Sequence, residues 1–177
     1  MAVLQIIRNL FAAPEAAEPE RIVPAAPTAY VIRPLTRANL DEVLRLNMRC
    51  FPEGENYTKH TFSYLLNEPG TLSYRTVTES GEMAGFVFVM INSDGAAHIT
   101  TVGVAPEHRR RRIAERMLAH LEYVLRQKSV STVVLEVRVG NIAAQNLYRG
   151  LGYIVMQRLE SYYNNGEDGL LMLKSLV

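Results

Sequence analysis

The chain is organised around residues 99–115, which read Ile99-Thr-Thr-Val-Gly-Val-Ala-Pro-Glu-His-Arg-Arg-Arg-Arg-Ile-Ala-Glu115. This stretch begins as a β-rich run, breaks at Pro106, passes four arginines and takes the spacing of an amphipathic helix from about Ile113. The first N–H groups of a helix have no internal partner and lie in positive potential, and arginines add paired donors for phosphate. The stretch therefore predicts a pyrophosphate-binding turn. Its alternatives are a solvated basic face and a nucleic-acid patch.

The composition bounds the class of protein. The chain has 177 residues, 48% of them hydrophobic and 21% charged, which predicts one globular domain. The 19 basic and 18 acidic residues nearly balance, which argues against a dedicated nucleic-acid binder. The single cysteine, Cys50, excludes an internal disulfide and suits a reducing compartment, so we expect a cytoplasmic protein. No run approaches the ~18 apolar residues of a membrane span. We do not interpret the first ten residues as an export signal, because Arg8 interrupts their apolar run.

Residues 1–29 differ from the rest of the chain. Four of the eight prolines lie between Pro14 and Pro27 among alanines and glutamates, which is typical of a tail or linker that buries little. Before them, Val3–Phe11 could form one short amphipathic helix. Such a helix would dock on the domain, on a second subunit or on another partner, and the sequence leaves these alternatives open.

Residues 30–177 show alternating strand and helix patterns in the order β-α-α-β-β-β-α-β-α-β-β. We predict the strands at residues 30–35, 71–78, 82–91, 96–104, 132–139, 153–157 and about 170–174, and the helices at 39–49, 59–66, from 113 and at 141–151. Asn39 and Glu42 fit a capping box for the first helix, whose inward face would include Leu40, Val43, Leu44 and Met48. The strand–helix–strand unit predicts one parallel pair in a mixed sheet, with helices on both faces.

Residues 104–114 resemble the acetyl-CoA-binding motif of the GCN5-related N-acetyltransferases, the GNAT family, which reads Val-x-Pro-x-x-(Gln/Arg)-x-x-Gly-x-(Gly/Ala). Val104, Pro106, Arg109 and Ala114 match it, whereas Arg112 stands at the usual first glycine. If Arg112 has helical φ/ψ angles, its N–H can still serve, and its side chain can reach toward the 3′-phosphate end of the coenzyme.

The resemblance implies a GNAT domain over residues 30–177. This is an α/β (α+β) fold whose mixed, mostly antiparallel sheet has a central parallel strand pair and helices on both faces. It also implies acetyl-CoA as the cosubstrate. The residues implied to hold it are Val102, Gly103, Val104, Arg109, Arg110, Arg111, Arg112, Ile113, Ala114 and Asn141.

Glu136 is the first candidate for chemistry, because it lies in the middle of the apolar strand Val133–Val139, on the face opposite Leu135 and Val137. A carboxylate there is costly unless it is paired or solvated by a cleft. The residues alone allow two readings: an ion pair with Arg138 at a sheet margin, or a general base.

A longer match assigns roles to Glu136 and its neighbours. Leu135-Glu-Val-Arg-x-x-Asn-x-x-Ala-x-x-Leu-Tyr148, followed by Leu-Gly-Tyr153, resembles the ribosomal-protein N-acetyltransferase (RimI) branch of the GNAT family. The resemblance implies that Glu136 is the base, that Tyr148 protonates the departing coenzyme A thiolate and that Asn141 contacts the cofactor. By composition alone, Tyr148 is a core tyrosine and Asn141 a natural helix N-cap.

Two further stretches resemble the peptide-binding loops of N-terminal acetyltransferases. Phe51-Pro-Glu…Asn-Tyr57 is similar to their first loop, with a two-residue insertion, and Ser161-Tyr-Tyr-x-x-Gly-Glu-Asp168 is similar to their late hairpin. The resemblance implies substrate contacts from Glu53, Tyr57, Tyr162 and Tyr163. The alternative for the tyrosine pair is ordinary β-propensity.

We therefore expect direct acetyl transfer to the α-amine of a protein or peptide N-terminus. At pH 7, deprotonation costs an α-amine about 1 kcal/mol and a lysine about 4.6 kcal/mol, so one glutamate suits the α-amine better. The alternatives are an acetyltransferase for lysine or a small amine, and a non-catalytic acetyl-CoA-binding module. Cys50 offers a covalent route but has no evident base.

We expect no metal, because His60, His98, His108 and His120 lack ligand spacing, and we expect His108 at the surface.

Overall fold

The computed structural model describes residues 22–51 and 57–177, and within these residues the chain forms a seven-stranded sheet in the order β1-β2-β3-β4-β5-β7-β6. The strands are β1 (Tyr30–Pro34), β2 (Thr71–Thr78), β3 (Met83–Ile91), β4 (Ala97–Val104), β5 (Thr132–Arg138), β6 (Ile154–Leu159) and β7 (Gly169–Ser175). The α-helices are α1 (Leu40–Cys50), α2 (Lys59–Asn67), α3 (Ile113–Gln127) and α4 (Ile142–Gly150). Each predicted strand and helix of residues 30–177 is present, and the predicted fold class is confirmed.

The sheet opens between its two parallel strands. β4 and β5 are paired only at Ala97 with Val133 and at His98 with Val134, after which they separate. β5 stays paired with β7 along its whole length, and the β3–β4 register shifts between Phe88 and Val89. Because β5 stays paired with β7 while β4 stays paired with β3, the two parallel strands diverge, and a gap forms between their carboxyl halves.

Two apolar cores cover the two faces of the sheet. On one face the predicted stripe of α3, including Met117 and Leu121, packs with Val87 and Val89 of β3. On the other face α1 and α2 pack over Phe86 and Phe88, which lie at the alternate positions of the same strand. Each large side chain buried in this way stabilises the fold by about 1.5–3 kcal/mol. The helices therefore fix β3 and β4 from both sides.

The detail of α1 differs from the prediction. Asn39 does not cap the helix with Glu42, because its Oδ1 accepts from the Thr36 N–H at 3.1 Å. Glu42 instead bonds to Arg75 and to the backbone N–H of Met83, each at 3.1 Å. Met48 is 55% exposed rather than inward. The face that packs on the sheet contains Val43, Leu46 and Asn47, whose amide donates to the Tyr57 carbonyl at 3.3 Å.

Part of the predicted tail lies against the arginine turn. Residues 22–29 have no regular secondary structure. The N–H of Ala25 donates to the Glu107 carbonyl at 3.0 Å, and Arg111 donates to the carbonyls of Ala25 and Ala26. The helix predicted for Val3–Phe11 falls outside the described residues. Within the described ranges, no helix is long and apolar enough to cross a bilayer.

Candidate active site

A cleft of about 1080 Å³ occupies the gap between β4 and β5. Of the predicted site residues that fall within the described ranges, all but Arg111 line it; Glu53 falls outside them. The lining residues are Tyr57, Val102, Gly103, Val104, Arg109, Arg110, Arg112, Ile113, Ala114, Glu136, Asn141, Tyr148, Tyr162 and Tyr163. Residues from distant parts of the chain thus share one cavity with the basic turn at one end.

The basic turn has the backbone geometry of a glycine-containing turn. Arg110 and Arg112 have φ angles of 64° and 59°, in the left-handed region that glycine occupies most easily. The condition of helical angles at Arg112 is therefore not met, because its backbone takes the left-handed conformation that glycine adopts most easily. The Arg112 guanidinium forms a bidentate pair with Glu115, at 2.8 and 2.5 Å, which places its charge over the first turn of α3.

The neighbouring arginines point to different places. Arg109 donates from Nε to the Val104 carbonyl at 3.3 Å and lines the cleft. The side chain of Arg111 instead bonds to the Tyr30 hydroxyl at 2.8 Å and to the carbonyls of residues 25 and 26. Its guanidinium therefore fastens the segment before β1 to the turn, and we assign that side chain no contact with a ligand in the cleft.

Glu136 forms a close pair with His98. The two side chains, 20% and 30% exposed, meet with 2.6 Å between His98 Nε2 and Glu136 Oε2. Leu135 and Val137 on either side of Glu136 are buried in the opposite core, which leaves the carboxylate on the open side of the cleft. The alternative ion pair between Glu136 and Arg138 is wrong, because Arg138 pairs with Glu167 across the β6–β7 loop.

Sequence reasoning missed His98 as a member of this site. The missing information was the register of the parallel pair, which sets His98 opposite Val134, two residues before Glu136. The sequence of β4 gave part of this information. Side chains alternate between the faces of a strand, so the apolar Ala97 and Ile99, which are buried in one core, place His98 on the opposite face.

Tyr148 approaches the cleft from α4. Its ring is buried beside Tyr153, with ring centroids 5.7 Å apart, yet it contributes to the cleft wall. Burial, with Tyr163 adding a smaller effect, raises the pKa of Tyr148 well above that of a free tyrosine, so the hydroxyl keeps its proton. The predicted N-cap of α4 is confirmed, because Asn141 Oδ1 accepts from the Ala144 N–H at 3.0 Å.

Three tyrosines line the other end of the cleft. The Tyr57 hydroxyl donates to the Thr100 carbonyl at 2.9 Å, and the Tyr162 and Tyr163 rings meet edge to face at 5.1 Å. Burial raises the pKa of all three, that of Tyr163 to about 12, and the nearby Glu136 carboxylate adds to each increase. Tyr57, at the end of the first loop, and the tyrosine pair of the late hairpin therefore meet near Glu136.

The thiol of Cys50 lies in the cleft wall, and no base among the described residues contacts it. Sγ donates to the Val104 carbonyl at 3.4 Å. Burial, only partly offset by Arg109, raises the pKa of the thiol to about 11. Since the thiolate is the nucleophile, this environment opposes a covalent role.

His108 is not at the surface as predicted, because the turn Pro106–His108 folds its ring inward to 2% exposure. Nδ1 lies 2.9 Å from the Tyr30 hydroxyl. Glu82, Glu107 and His108 place possible metal-ligand atoms within 4.8 Å of one another, a group that histidine spacing did not predict. Glu107 already pairs with Arg49 at 2.6 Å.

Comparisons with known proteins show the family and the fold of this chain. Residues 40–153 match the acetyltransferase (GNAT) family. A Bacillus subtilis protein, proposed to be a ribosomal protein bS18-alanine N-acetyltransferase, is 30% identical over 82% of this chain and 95% of its own length. The crystal structure of the Escherichia coli ribosomal-protein-S18-alanine N-acetyltransferase superposes with a TM-score of 0.76 and 26% identity, over 84% of this chain and 94% of that chain. Arabidopsis thaliana NAA60 in complex with acetyl-CoA shares the fold, with a TM-score of 0.74 and 22% identity over 83% and 98% of the two chains.

Proposed function

The chain belongs to the acetyltransferase (GNAT) family, and we propose that it moves the acetyl group of acetyl-CoA to the α-amine of a protein N-terminus in the cytosol. Its activity would be of the ribosomal-protein acetyltransferase type. The observation that carries the proposal is the Glu136–His98 pair at the gap between β4 and β5, with the basic turn at one end of the cleft and three tyrosines at the other.

The basic end suits the phosphates of the coenzyme. The N-terminus of α3 lies there together with Arg109 and Arg110, so backbone donors and formal positive charge converge on one place, while the Arg112 guanidinium is paired with Glu115. The pantetheine arm would follow Val102–Val104, where β4 has no partner strand on its β5 side. In that position an N–H of β4 can stabilise the developing oxyanion of the thioester.

The reacting groups would divide the proton transfers as follows. Glu136, hydrogen-bonded to His98, accepts a proton from the substrate amine directly or through water. The neutral amine nitrogen then attacks the thioester carbonyl, a C–N bond forms and the C–S bond breaks, and the nitrogen releases its second proton to water. Tyr148 gives its proton to the leaving thiolate, since its raised pKa keeps the hydroxyl protonated, and later regains one from solvent. The products are an N-acetyl amide and free coenzyme A.

The experiment that tests this function is acetyl transfer to short peptides, followed by mass spectrometry. Peptides with free Ala, Ser, Met or Glu at the first position are each matched to an N-terminally blocked version that carries an internal lysine. We expect acetylation only of the free N-termini. Acetylation of the blocked peptides would show that the chain is a lysine acetyltransferase instead. Binding of acetyl-CoA without any modification would favour the non-catalytic module.

Direct transfer predicts that Cys50→Ala keeps its activity. With a pKa of about 11, roughly one thiol in 3000 is ionised at pH 7.5, which is too few for an efficient nucleophile. We expect kcat within about threefold of the wild type and little labelling of Cys50 by iodoacetamide at this pH. Loss of turnover in a variant that still folds and binds acetyl-CoA would contradict direct transfer.

A further inference from the structure

The loop between β6 and β7 carries the tyrosine pair but has limited packing of its own. Tyr162 is 49% exposed, and residues 160–168 bulge from the edge of the sheet between Leu159 and Gly169. A loop of this kind holds its side chains in place only where fixed contacts tie it to the scaffold.

Arg138, the last residue of β5, provides such a contact. Its Nη1 donates to the Glu167 carboxylate and to Asn165 Oδ1, the latter at 3.2 Å. Its Cζ lies 3.8 Å from the centroid of the Tyr163 ring, so the planar cation stacks under that tyrosine. The side chain is 18% exposed, which strengthens both contacts relative to a surface pair.

Glu167 extends the same contact to the start of α4. Its Oε1 accepts from the Gly140 N–H at 2.7 Å, and a Cβ at Gly140 would lie 2.7 Å from that oxygen. The backbone N–H of Tyr163 also donates to the Glu167 carbonyl at 3.0 Å. The loop is therefore bonded to residues 138–140, which lie between Glu136 and Asn141 in the chain.

We propose that Arg138 is a positioning residue for the acceptor peptide, which sets the Tyr163 ring over the substrate end of the cleft and thereby controls peptide affinity. This inference rests on the proposed function, because it takes the tyrosine pair as the contact for the substrate backbone. These contacts join Arg138 to the β6–β7 loop and not to the basic turn, so we expect its substitution to affect peptide binding more than coenzyme binding.

The test compares Arg138→Met and Arg138→Lys with Arg158→Gln. Arg158 bonds to Asp168 at 2.7 Å on the same hairpin but has no contact with the tyrosine pair among the described residues, which makes it the matched control. We expect Arg138→Met to raise the peptide KM about tenfold or more while the Kd for acetyl-CoA stays within about twofold. Arg138→Lys should fall between, because an ammonium keeps the charge and loses the planar stacking. Arg158→Gln should match the wild type.

Two further measurements separate this proposal from its premise. Hydrogen exchange of residues 160–168, measured without substrates, should be faster in Arg138→Met than in Arg158→Gln. In a Tyr163→Leu background, which lacks the ring, Arg138→Met should add little to the peptide KM. Unchanged exchange and unchanged peptide KM, or an equal loss of acetyl-CoA affinity, would overturn the role of Arg138. A wild-type protein that modifies no free N-terminus would instead overturn the proposed function, whatever the exchange data show.

Discussion

Glu136→Gln is expected to lower kcat for a free N-terminal peptide by about 10²–10⁴-fold, the usual contribution of a positioned general base. Glutamine has nearly the same shape and can still bond to His98, but it cannot accept a proton from the amine. The affinity for acetyl-CoA and the thermal midpoint should therefore stay close to those of the wild type. Steady-state kinetics, calorimetry with acetyl-CoA and a melting curve measure the three quantities.

The control for this substitution is Glu79→Gln, the same chemical change on the exposed turn between β2 and β3. It should leave all three quantities unchanged. The kcat of His98→Gln measures whether the imidazole helps Glu136 to accept the proton of the substrate amine. A Glu136→Gln variant that retains most of its kcat would show that another group, or solvent, removes the proton, and the proposed role of Glu136 would be lost.

Lys174→Met is expected to have the largest effect on stability. Lys174 Nζ lies 2.5 Å from Glu122 Oε2, with the two side chains 16% and 6% exposed, and this pair joins β7 to α3. Removing the lysine leaves a buried carboxylate whose remaining cation is Arg126 at 4.0 Å. Breaking a buried pair costs about 3–5 kcal/mol of unfolding free energy. For a chain of this length, that cost lowers the Tm by roughly 6–20 °C.

The matched variant is the double substitution Glu122→Leu with Lys174→Met, which removes both charges and should recover most of the lost stability. Chemical denaturation of the single and double variants measures the difference. A loss below about 1 kcal/mol in Lys174→Met would mean that the pair behaves like an exposed one. The inference that it stabilises the contact between β7 and α3 would then fail.

Sequence patterns were sufficient for the architecture because each element carries its own periodic signal. The stripe of α3 and the alternation of β5 predict both the element type and the buried face, and the structure has them as predicted. The end of the cleft at the arginine turn was predictable for the same reason, since its residues are adjacent in sequence.

The contacts that sequence could not predict join elements far apart in the chain. The partner of Glu136 is 38 residues away, and the partner of Arg138 is 29 residues away, so the nearby Glu136–Arg138 pairing was a plausible but wrong alternative. The inward turn of His108 depends on Tyr30 in the same way. At Arg112 the turn imposed its own backbone conformation on a residue that does not favour it.

The most direct test of the central claim uses one peptide that carries both a free N-terminal alanine and an internal lysine. After incubation with the protein and acetyl-CoA, fragmentation by mass spectrometry locates the acetyl group on one nitrogen or the other. We predict that it lies on the α-nitrogen, and that the product is missing with Glu136→Gln over the same time. An acetyl group on the lysine Nζ, or an unmodified peptide alongside bound acetyl-CoA, would contradict the claim.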